Sequence, residues 1–170
     1  MIIKLRTLPT DTRGVGAVEF ALIVPFMIAV WMGSVELATL ELVSRKVSVA
    51  AQTVADLVAQ EEKVTTDSLE NIIGVGRQIL APFPTKTLSI QIISVEADVD
   101  GLISVGWSFP SGQGAGIPEK ARALLIKNES VVAVVLKYNA EGIFANYERN
   151  IIEEFYARPR KVRIISFDTE

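Results

Sequence analysis

At 170 residues with 49% hydrophobic side chains, the chain has room for one compact domain and an extension, and a disordered tail is excluded as its main feature. A formal net charge of -3 gives no global attraction to nucleic acid or to an anionic membrane surface. With no cysteine and no histidine, disulfide frameworks, thiolate nucleophiles, most zinc sites and Ser-His-Asp or Cys-His catalysis are excluded.

The N-terminal stretch carries Lys4, Arg6 and Arg13 against Asp11, a positive flank that the positive-inside bias keeps in the cytoplasm. Between Glu19 and Glu36 lies an uncharged run, Phe20 to Val35, which Ala17, Val18 and Leu37 to Leu40 extend toward spanning length. About 20 helical residues cross a hydrocarbon core of roughly 30 Å. Aliphatic residues occur all round the run rather than on one stripe, the pattern of a lipid-facing helix. The domain that follows is therefore expected outside the cytoplasm. The order of features is not that of an ordinary secretory signal, which has a small-residue cleavage site beyond its apolar region.

Here the basic leader ends in Arg13-Gly14, the apolar run follows at once, and one carboxylate, Glu19, stands fifth after Gly14. That arrangement resembles the prepilins. The resemblance implies cleavage on the cytoplasmic side between Gly14 and Val15, with the helix retained as the mature N-terminus. Gly16 is a second possible cleavage point, but cutting there would make Glu19 third rather than fifth. A carboxylate at the start of an apolar helix is costly unless a cation meets it, and a new α-amino group is such a cation. In the filaments this leader resembles, the carboxylate pairs with the free amine of a neighbouring subunit. A helix N-terminus also favours a carboxylate nearby. The bland reading of Glu19 is a charge that marks the membrane boundary. Pro25 removes one backbone hydrogen bond, as a kink or as a tolerated defect, and Gly33 is a candidate for close helix packing.

The string RGVGAVEFALIVPFMIAVWMGSVEL is similar to the N-terminal signature of TadE/TadF-like proteins. That resemblance implies a non-catalytic, prepilin-like minor pilin or pseudopilin for a Tad (tight-adherence, Flp-type) pilus used in adhesion. It also implies a place in the bacterial inner membrane, single-pass, with a cytoplasmic N-terminus and a periplasmic domain. The implied partners are a TadE/TadF-like companion, a prepilin peptidase, the Flp-type major pilin and the Tad assembly platform in the membrane. No cofactor, metal or nucleic acid is expected. VVAVVLKYNAEGIF and YARPRKVRII extend the resemblance more weakly into the later chain.

After Glu36, Val43, Val47, Ala51, Val54 and Val58 recur at three- and four-residue steps and Glu41 precedes Arg45 by four, so the helix is predicted to continue to about Gln60. Thr66 or Asp67 is a candidate cap for a second helix carrying Leu69, Ile72, Ile73, Ile79 and Leu80, stopped by Pro82 and Pro84. Leu88 to Val95 and Ile103 to Phe109 read as two strands of a hairpin turned at Asp100-Gly101. Gly112, Gly114 and Gly116 mark a loop, with no Lys-Ser/Thr to make it a phosphate cradle. Pro118 opens a short helix through Leu125, and Ser130 to Tyr138 reads as a central strand. Glu153 and Glu154 are taken as neighbours on a helix, pointing apart, and Val162 to Phe167 as the last strand.

The expected class is α+β: a long N-terminal helix, then a domain with an antiparallel sheet of about four strands. The expected division is a leader over 1–14, a membrane helix over 15–42, its continuation over 43–60 and the domain over 61–170. Arg158, Arg160, Lys161 and Arg163 form a candidate partner-contact patch, diluted by Glu153, Glu154 and Asp168. The competing function is a membrane-tethered periplasmic binding or sensing module, which needs no cleavage. A secretion pseudopilin lies between the two, without its calcium-type carboxylate cluster being evident. No spacing of Ser, Asp, Glu, Lys or Tyr forces a catalytic site.

Overall fold

The computed structural model describes residues 14–110 and 116–168. Lys4, Arg6, Asp11 and Arg13 of the expected leader, and Gly112 and Gly114, lie outside the described residues. The chain divides into two units, Met1–Ala38 and Thr39–Glu170, and helix α1, Val15–Ala59, contributes residues to both.

In the first unit α1 is unbroken through Pro25. Proline donates no backbone hydrogen bond, so the carbonyl one turn earlier goes without its usual partner. Phe20, Leu22, Ile23, Phe26, Met27, Ile28, Val30 and Trp31 are all exposed, and the most apolar window of the helix has nothing packed over it. Ser34 turns its hydroxyl inward, donating to the Val30 carbonyl at 2.8 Å, which satisfies it without water. From Val15 to Ala38 the rise is roughly 36 Å, enough for a bilayer core.

In the second unit the rest of α1 becomes a core helix. Val43, Val47, Ala51, Val54 and Val58, the stripe of three- and four-residue steps, are buried, and so are Ala50, Ala55 and Ala59. The Glu41–Arg45 pair forms at 2.9 Å on the exposed side. Helix α2, Thr66–Ile79, follows a short strand β1, Lys63–Thr65. Its cap is Thr65 rather than Thr66 or Asp67: the Ser68 N–H donates to Thr65 Oγ1, and the Thr65 N–H donates to Ser68 Oγ. Leu69, Ile72, Ile73 and Leu80 are buried.

The sheet runs β3-β2-β4-β5, with β2 at Ser89–Ala97, β3 at Ile103–Phe109, β4 at Glu129–Glu141 and β5 at Glu148–Ala157, every neighbour antiparallel. The β2–β3 turn needs Gly101 at φ +88 and is held by Asp98, whose carboxylate accepts from the Asp100 and Leu102 N–H groups. One face, with Ile90, Ile92, Val132, Val134, Leu136 and Tyr138, packs in the same core as α1 and α2. The other carries Ile93, Val95 and Ala133 with Ala121 of the short helix α3, Glu119–Leu124. Central β4 is apolar on both faces because both are covered, as expected of Ser130 to Tyr138.

Two readings are corrected. Glu153 and Glu154 lie on strand β5, not on a helix, opposite Leu136 and Val135. They still point apart, because successive strand residues face opposite sides of a sheet. The last strand is only β6, Ser166–Asp168, and it pairs in parallel with β1 instead of joining the main sheet. Residues 158–165 run instead as a strap whose backbone serves side chains of the sheet. Ser130 Oγ donates to the Arg163 carbonyl at 3.0 Å and Trp107 Nε1 to that of Ile165 at 2.8 Å.

Candidate assembly site

Gly14 directly precedes α1, and Val15 is its first residue. Nothing stands within 4 Å of where a Cβ would project from Gly14, Gly16 or Gly33, so space does not explain these glycines in the isolated chain. Glu19 is the fifth residue of α1 and exposed, among Val18, Phe20 and Leu22, which are exposed as well. A carboxylate on an uncovered apolar helix is stable in lipid only with a cation or a donor from another group. Pro25 and Gly33 are exposed further along the same helix.

Two of the four C-terminal basic residues have partners within the domain. Arg158 donates to the Leu124 carbonyl at 2.7 Å and lies 3.5 Å from Glu129. Arg160 bridges to Asp56 at 3.0 Å, and its backbone N–H donates to the Ala59 carbonyl at 2.9 Å. These two guanidiniums thus fasten the strap to the domain. Lys161 and Arg163 are exposed beside them. Asp56 and Arg160 are 104 positions apart, and no pattern in the sequence announces their meeting.

Among other ionisable groups, burial pushes the Glu96 carboxyl up, opposed by its hydrogen bond with Ser94. Burial, then the hydrogen bond to Glu154, pushes the Tyr156 hydroxyl up. Glu96 lies across Gly106, where any Cβ would strike its carboxylate. A groove of about 550 Å³ is lined by Glu70, Ile73, Arg77, Leu88, Ile90 and Phe109, one carboxylate and one guanidinium over an apolar floor. Among the described residues no group of three His, Cys, Asp or Glu side chains could hold a metal ion.

A single bare apolar helix ahead of an α+β domain fits a single-pass membrane protein. Residues 14–56 match the family model described as TadE-like protein. The N-terminal segment of the chain is therefore TadE-like, and the match ties the protein to assembly of the Tad pilus. It spans about a quarter of the chain, from Gly14 into the buried stripe of α1. No curated protein and no solved structure matches.

Proposed function

We propose that the protein is a non-catalytic minor pilin or pseudopilin of the Tad system, processed between Gly14 and Val15 and held by α1 in the inner membrane until assembly. Residues 1–14 are the leader, 15–42 the membrane helix, 43–60 its continuation and 61–170 the periplasmic α+β domain. The observation that carries this reading is Glu19 exposed on an uncovered apolar helix one turn in from Gly14, within the segment that matches the TadE-like family. Cleavage at Gly14 creates an α-amine, and Glu19 of one subunit then neutralises the amine of the next. A charge pair buried in lipid fixes register, because a slipped neighbour leaves both charges uncompensated. Pro25 and Gly33 adapt the helix for packing among its neighbours. The partners are a TadE/TadF-like companion, the prepilin peptidase, the Flp-type major pilin and the assembly platform, with Lys161 and Arg163 offered to an acidic surface of one of them.

The test is the intact mass and N-terminal sequence of the membrane-extracted protein, expressed with and without a Tad-type prepilin peptidase. A mature start at Val15 supports processing. An intact Met1 form beside a correctly cut control prepilin overturns it and favours the tethered binding or sensing module, for which the groove between α2 and the β2–β3 edge is the candidate site.

A further inference from the structure

The second unit has two distinguishable ends. At one, Arg160 joins the last turn of α1 through Ala59 and Asp56, close to where Ala157 of β5 pairs with Val132 of β4. At the other, Lys46 donates to the carbonyls of Ile79 and Ala81, and Thr87 Oγ1 donates to the carbonyl of Asn139 near the end of β4. The β4–β5 connection, residues 142–147, therefore projects from the end at which α1 joins this unit. The Gly142 N–H donates to the Tyr147 carbonyl and closes its base.

Hairpin tips ordinarily carry glycine, asparagine and other polar residues. This one exposes Ile143 at 56% and Phe144 at 45%. The same end exposes Leu42, four residues before Lys46, and Pro82 and Pro84, beside the Ala81 carbonyl that Lys46 holds. Lys46, Lys86, Lys137 and Arg149 stand there against Glu141 and Glu148, a small positive excess around the tip. Glu148 is further occupied by the Asn139 amide. The tip itself, residues 142–147, carries no charged side chain, so the attraction it offers is apolar.

What lies against it follows from the chain itself: Thr39 opens this unit directly after the exposed apolar stretch of α1. The geometry points to the 142–147 tip as a membrane-interface contact, with Ile143 and Phe144 seated at the headgroup–acyl boundary of the adjoining leaflet. Such a boundary accepts apolar side chains to a depth of roughly 5–10 Å without any backbone crossing the bilayer. This contact rests on α1 spanning the membrane and not on leader processing. It holds the domain at a second point beside its helix, and release into a fibre has to withdraw both.

The chain has no cysteine, so single labels are unambiguous. Full-length F144C carries a nitroxide in phosphatidylcholine nanodiscs without any peptidase, and collision with oxygen is compared with collision with an aqueous nickel chelate. Val99→Cys, in the β2–β3 turn at the opposite end and 70% exposed, is the reference. The expected result is an oxygen-to-nickel collision ratio several-fold higher at 144 than at 99, present in phosphatidylcholine alone and retained at high salt. Equal ratios at the two positions overturn the proposal. So does protection from both relaxants with spin–spin broadening that disappears on dilution with unlabelled chain, which identifies a second copy as the occupant. If F144C loses its native circular dichroism, I143C carries the same comparison. Failure of leader cleavage leaves this result untouched, so the two readings fall separately.

Discussion

A methyl group added at Gly76 should loosen the domain, whereas one added two residues earlier, at Gly74, should tighten it. A Cβ on Gly76 would stand 2.8 Å from Val54 Cγ2 and 3.1 Å from Ile90 Cδ1, but nothing lies within 4 Å of one on Gly74. Both substitutions gain about 1 kcal/mol of helix propensity over glycine. Val54 is fully buried on a β-branched side chain with one favoured rotamer in a helix, so it cannot swing away. Overpacking of this kind costs about 1–3 kcal/mol. Gly74→Ala is thus worth about 1 kcal/mol of added stability, and Gly76→Ala ranges from about neutral to about 2 kcal/mol of loss. The contrast isolates the steric term. At roughly 3 °C per kcal/mol for a domain of this size, Gly76→Ala should melt about 3–9 °C below Gly74→Ala. Thermal unfolding of the full-length protein in detergent, followed by circular dichroism, measures it. Equal upward shifts in the two variants would refute close contact between α2 and the outer part of α1.

Other outcomes are equally specific. Glu19→Ala should insert into membrane at least as well as the parent, since a charge leaves an apolar helix, yet abolish piliation in cells that depend on this subunit; normal piliation removes the amine-pairing role. Burial raises the Glu96 carboxyl above its ordinary value of 4.5, so the folded chain keeps a proton that the unfolded chain releases. The stability this contributes is complete below about pH 4.5 and is lost as pH rises through the raised value. Glu96→Gln should therefore match the parent in acid and melt above it at neutral pH, and a melting difference that does not change with pH would contradict the burial. Arg160→Ala removes a partly exposed ion pair with Asp56 and should cost under about 1 kcal/mol in urea unfolding. Arg160→Pro also removes the N–H that serves the Ala59 carbonyl and should cost about 1–3 kcal/mol more; equal losses would show that this backbone bond contributes nothing.

Periodicity and local chemistry carried most of the elements. The stripe from Val43 to Val58, the Ile-rich β2, the Asp100-Gly101 turn and the doubly apolar β4 each depend on interactions a few residues long, so they were legible in order along the chain. The proposed assembly site rests on a linear pattern too, since the glycine, carboxylate and apolar run from Gly14 onward lie within the stretch that matches the TadE-like family model. Strand β5 was hidden for a physical reason: both its faces carry mixed residues, Ile151, Glu153 and Phe155 on one and Ile152, Glu154 and Tyr156 on the other, so no period of two stands out. The strap was hidden for another, since Val162 to Ile165 look strand-like while their carbonyls are claimed by Ser130 and Trp107 from distant strands. Sequence alone thus determined that a bare apolar helix leads into an α+β domain. Tertiary structure alone decided that Asp56 pairs with Arg160, that Gly76 admits Val54, and that Ile143 and Phe144 emerge at the end where α1 joins the domain. Contacts across tens of residues depend on where the chain returns, and no local pattern encodes that.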